Sequence, residues 1–194
     1  VVMSDVARSM VVERGQEDWD SEFGRFPRLF EGHESIPGLT WPTTAFSGRM
    51  TVYLGKRRVD LMQLGRGHTA GDIVAYVPDA NVMFTGDLVE YKSACYCGDV
   101  HFADWQGTLD NIRSYGVDSI APGRGDALVG AKMVNEAIDL TADFLPIFAL
   151  LILAEAARLE RLVRDLLELA HLDAQQFALN LHPVDIAAST AEVV

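Results

Sequence analysis

A histidine and a carboxylate stand at the two ends of one short segment. Residues 65–87 read Gly-Arg-Gly-His-Thr-Ala-Gly-Asp, then Ile-Val-Ala-Tyr-Val-Pro, a turn at Asp79-Ala80-Asn81, and Val-Met-Phe-Thr-Gly-Asp. The apolar, β-branched runs 73–77 and 82–85 flank a tight turn, which predicts a β-hairpin. His68 sits just before the first strand and Asp87 just after the second, so antiparallel pairing brings an imidazole and a carboxylate to one sheet edge. Those are ligand types for zinc, iron or manganese.

Residues 88–101 follow directly and are the least regular part of the chain. They contain Glu90, Tyr91, Cys95, Cys97, Asp99 and His101, a dense set of metal-capable side chains. Loops mounted on a rigid sheet edge are where sites are built. Two readings stand side by side: Cys95, Cys97 or His101 supplies further metal ligands, or Cys-Tyr-Cys packs as small apolar residues and His101 is a surface residue.

Gly67-His68-Thr69-Ala70-Gly71-Asp72, followed by Phe84-Thr85-Gly86-Asp87, resembles the second half of a metallo-β-lactamase-fold hydrolase. The resemblance implies that His68 binds a first metal and that Asp87 is the carboxylate that bridges two. It also implies a His-x-His-x-Asp-His cluster upstream, but His33 is the only upstream histidine, and it reads as a solvated loop residue. The family's last ligand sits in a Gly-His-Gly-like loop, where this chain has Pro122-Gly123-Arg124-Gly125. An arginine offers only donors and cannot ligate a cation. Arg124 is therefore expected either to grip a substrate carboxylate or phosphate bidentately, or to pair with Asp87 or Asp126 in place of the missing ion.

The elements that must position these residues follow from periodicity. Ser4 caps a short helix over 4–14 that Gly15 stops. Trp19, Phe23, Phe26 and Phe30 recur at helical spacing over 16–30, interrupted at Pro27. Runs 50–54 and 59–64 form a hairpin leading into the histidine segment, giving four consecutive strand candidates. A helix over 104–115, a strand over 117–121 and a helix over 126–145 complete the domain.

The chain has 194 residues and a formal charge of -12, enough length for a core and a charge that argues against nucleic acid or an anionic membrane. Cys95 and Cys97 give no disulfide framework, and the N-terminus has no signal-peptide pattern, so a reducing cytoplasm is the expected location. With no Met at position 1, the chain reads as a piece of a longer one.

Near Pro146 the character changes. Residues 146–154 are an apolar run of nine, too short for a bilayer span of about 20. The run merges into an amphipathic helix over 155–173, where Leu159, Leu162, Leu166 and Leu169 face one way and opposite-charge pairs the other. Residues 155–177, with Leu181-His182-Pro183-Val184-Asp185-Ile186 and Ala191-Glu192-Val193-Val194, resemble the second dimerisation helix and the ATP-domain entry of a sensor histidine kinase. The phosphoacceptor and nucleotide motifs of that family are missing; His171 reads as structural or exposed and His182 as a connector residue.

The expected fold is α/β (α+β): a partial αββα sandwich over residues 1–147, joined to a histidine-kinase-like helical segment over 148–194. The expected function is a metal-dependent hydrolase-like domain holding at most one ion between His68 and Asp87, with Asp87 orienting the water, and weak or inactive for want of ligands. A different class of function is a helical module that pairs residues 149–173 into a homodimer without kinase activity. Any small-molecule substrate is unreadable.

Overall fold

The computed structural model describes residues 1–176; His182 and the other expectations beyond 176 lie outside the described residues. It divides into two compact units, Val1–Phe148 and a second from Ala149 onward.

The first unit is built on a six-stranded sheet in the spatial order β3-β4-β5-β6-β7-β8. The strands are β3 (Arg49–Leu54), β4 (Arg57–Met62), β5 (Val74–Val77), β6 (Val82–Glu90), β7 (Ser119–Arg124) and β8 (Leu128–Val129). All neighbours are antiparallel except β6 and β7, which run parallel across the helix α2 (Phe102–Ser114). A parallel pair requires such a crossover. A separate parallel pair joins β1 (Val2–Ser4) to β2 (Thr44–Phe46). The core gathers Val74, Met83, Leu88 and Val89 from the sheet, Trp105, Leu109 and Ile112 from α2, and Ala137, Ile138 and Leu145 from α3 (Ala131–Gln176).

Several boundaries differ from the sequence expectation, each for a physical reason. Ser4 does cap α1 (Asp5–Arg25), its hydroxyl accepting the Ala7 N–H, but the helix runs through Gly15. At Gly15 an added Cβ would lie 3.1 Å from Val11 Cγ1 and 3.2 Å from Leu39 Cδ2, so the glycine serves packing rather than termination. The helix ends before Pro27, and a 3-10 turn over Pro27–Phe30 folds Phe30 back onto Trp19 and Phe23. Residues 128–129 form the short strand β8, so α3 starts at Ala131 and not at 126.

The helix α3 passes through Pro146. The apolar run of nine is thereby part of a longer helix, and Ala131–Leu172 is long and apolar enough to cross a membrane by length and composition. Within the first unit, however, Val134, Ile138, Thr141 and Leu145 on this helix are buried against the domain. In the second unit the side chains of 150–172 are all exposed, including Leu159, Leu162, Leu166 and Leu169.

Candidate metal centre

The residues from Leu64 to Asp72 are held on two sides. From α2, Thr108 Oγ1 donates to the Arg66 carbonyl at 2.7 Å and Asn111 Nδ2 to the Leu64 carbonyl at 2.7 Å. The His101 N–H donates to the Gly67 carbonyl at 2.8 Å. From α1, the buried Ser4 hydroxyl donates to the Gly71 carbonyl at 2.8 Å. Within the loop, the Asp72 carboxylate accepts the Thr69 N–H at 2.9 and 3.0 Å and the Thr69 hydroxyl. Burial lifts the Asp72 carboxyl above the usual range despite these bonds. His68 is thus presented from a loop whose backbone is fixed at both ends. Its ring lies 6.1 Å from those of Tyr96 and Trp105.

The two carboxylates come from β6. Asp87 lies inside this strand and not just beyond it, because the strand continues to Glu90. In a regular strand, positions 87 and 90 would face opposite sides. Here Gly86 pairs with Pro122 and Glu90 with Arg124, so four steps along β6 match two along β7. Gly86 takes φ 53°, a left-handed conformation suited to glycine, where the register breaks. The bulge turns both carboxylates toward His68. The Thr141 hydroxyl of α3 holds the backbone of Glu90, accepting its N–H at 3.3 Å and lying 3.2 Å from its carbonyl.

His68, Asp87 and Glu90 each offer a ligand atom within 4.8 Å of the other two. His68 Nε2 is 3.5 Å from Asp87 Oδ2. His68 Nδ1 and both carboxylate oxygens of Glu90 are buried and accept or donate no hydrogen bond within the described residues. The Tyr96 amide and Arg124 act on the Glu90 carboxylate without closing an ordinary hydrogen bond, Arg124 Nε standing 4.0 Å away. Burial pushes the Glu90 carboxyl up, opposed by Arg124 and reinforced by Asp87. Buried polar atoms left unpaired are costly and point to a missing partner. A nitrogen and two carboxylates are a donor set that suits a divalent cation, so the residues present fit a metal.

The other residues singled out in the sequence are placed elsewhere. Cys95, Cys97 and His101 are outside the three-donor group. Cys95 is buried in the apolar core, its thiol pushed up to about 12 first by burial and then by Glu90, and Cys97 is raised by the same two causes. The Cys97 thiol is directed at the Cys95 carbonyl, 3.6 Å away. His101 precedes α2 and contributes its backbone to the Gly67 contact. Asp99 is clamped bidentately by Arg14 of α1, which holds its carboxyl below the usual range. Arg124 pairs with Glu90 rather than with Asp87 or Asp126.

No family model matches the chain. Over 94 residues it is 31% identical to a "Metallo-beta-lactamase type 2" of Bacteroides fragilis, a match covering 46% of this chain and 38% of that protein. Over 77 residues it is 29% identical to the protein of the same name from Bacillus cereus, covering 37% and 30%. A solved metallo-beta-lactamase from Pontibacter korlensis superposes with a TM-score of 0.55 and 18% identity, over 75% of this chain and 57% of that one. The chain therefore spans well under half the length of the curated relatives it matches. The mixed α/β fold is of the metallo-β-lactamase kind, and similarity to that superfamily is carried by sequence as well as structure.

Proposed function

We propose that residues 1–148 form a hydrolase-like domain of the metallo-β-lactamase superfamily that binds one divalent ion, zinc by preference, between His68, Asp87 and Glu90. The observation that carries this reading is the convergence of three donors, with buried polar atoms of His68 and Glu90 left unpaired. Three protein ligands and an open position are the arrangement a catalytic zinc takes. The chemistry such an ion supplies is Lewis-acid activation of water and of a scissile carbonyl. Asp87, whose side chain is 32% exposed where that of Glu90 is 0%, is the carboxylate placed to orient a water and take its proton. Glu90 supplies a fully buried carboxylate, and the Tyr96 ring lies 6.1 Å from that of His68. With three donors among the described residues, a second ion has no ligands of its own, and we expect β-lactam turnover by this chain to be weak or nil.

Elemental analysis of the purified chain tests the reading. About one zinc per chain, lost in His68→Ala and Asp87→Ala, supports it. A metal-free protein, or metal retained in both variants, rejects it.

A second reading concerns the second unit. The exposed apolar stripe through Leu159, Leu162, Leu166 and Leu169 favours a helical interaction module, of the kind used by sensor histidine kinases, that pairs with a second copy. Light scattering decides it: Leu162→Asp with Leu166→Asp turns a dimer into a monomer, and an unchanged mass rejects the idea.

A further inference from the structure

We infer that Arg124 couples metal occupancy to anion binding: its guanidinium neutralises Glu90 when no cation is bound, and is released to hold a substrate oxyanion when one is. This rests on the metal site proposed above. Glu90 is the carboxylate whose charge is fully buried, and Arg124 is the cation beside it. The pairing is loose. At 4.0 Å the two are beyond hydrogen-bond distance, and within the described residues the guanidinium makes no hydrogen bond and no other ion pair. The side chain is 46% exposed, so its donors reach solvent and whatever enters from there.

The backbone beneath Arg124 does not share this freedom. Its carbonyl accepts the Tyr91 N–H at 3.1 Å, and Gly123 is pressed against Asp87. Arg124 is therefore anchored at the rim of the three-donor group while its head is uncommitted. A divalent ion on Glu90 removes the attraction that draws the guanidinium inward and replaces it with repulsion. The freed planar fork then suits a carboxylate or a phosphate-type oxyanion, which it can hold bidentately. By linkage the effect is reciprocal, so an anion on Arg124 strengthens metal binding by the same factor.

The test uses the full chain with benzoate and methylphosphonate as probes, which separate the carboxylate from the phosphate-type source. Calorimetry measures each probe against the zinc-loaded and zinc-free chain, and chelator competition measures zinc affinity in the wild type, Arg124→Gln and Arg124→Lys. Elemental analysis follows zinc in the same samples. The expected result is anion binding that needs zinc and weakens roughly tenfold or more in Arg124→Gln. Zinc affinity rises roughly threefold or more in Arg124→Gln once the competing charge is gone, and stays near the wild-type value in Arg124→Lys. Zinc bound normally, with anion affinity unchanged or zinc affinity weakened in Arg124→Gln, overturns the coupling and leaves the metal site standing. A wild-type chain that takes up no zinc overturns both.

Discussion

Glu90 and Asp60 are both buried carboxylates, and their surroundings give them opposite dependences on pH. Glu90 is raised by burial, so the metal-free protein is stabilised below the ordinary carboxylate range and loses that stability as pH rises through the folded pKa. Urea midpoints of the chelator-treated chain should therefore fall with rising pH, and Glu90→Gln should flatten that fall. Asp60 is also pushed up by burial, but the Thr51 hydroxyl, Arg49 and Arg58 outweigh this and leave its carboxyl below the usual range. Its contribution is present above the ordinary range and lost as pH falls through the folded pKa. Asp60→Asn should cost about 2 kcal/mol at neutral pH, read from denaturant unfolding, with the difference vanishing in acid. Gly123 is the third residue with a sharp expectation. A Cβ there would lie 2.6 Å from the Asp87 backbone nitrogen and collide with its carboxylate. Gly123→Ala should cost about 2 kcal/mol and lower metal stoichiometry together.

At the scale of elements, the hairpin β5–β6 was legible because two β-branched runs flank a turn at Asp79-Ala80-Asn81, and it places His68 and Asp87 at one end. Glu90 was visible as a metal-capable residue but not as their partner. The period of a strand assigns 87 and 90 to opposite faces, and nothing in the local composition except Gly86 signals the bulge that reverses this. The pairing of Arg124 with Glu90 was out of reach for the same reason, since it depends on the β6–β7 register. The Ser4 cap was legible, whereas Gly15 misled: a mid-helix glycine resembles a stop unless its contact with Leu39 is known. Ser4 carries a testable double duty, capping α1 and binding the Gly71 carbonyl beside the histidine loop. Ser4→Ala should lower stability by about 1 kcal/mol, and hydrogen exchange should quicken in both α1 and the loop.

The whole chain holds two kinds of surface. The first unit buries a continuous core from sheet, α2 and the start of α3, while the second exposes Leu159, Leu162, Leu166 and Leu169 along an amphipathic helix. A chain ending at Phe148 should keep the zinc stoichiometry of the full chain by elemental analysis, and should lose any self-association seen in light scattering. Retained self-association would move the contact to the first unit.

The surplus residues of β6 between Gly86 and Glu90 make the site depend on length as much as on composition. Loss of a single codon between Asp87 and Glu90 would delete no ligand, yet it would take Leu88 or Val89 from the core and change the register that brings both carboxylates to His68. Such a lesion would cost core packing and metal capture together, an inherited loss that a comparison of the ligand types alone would overlook.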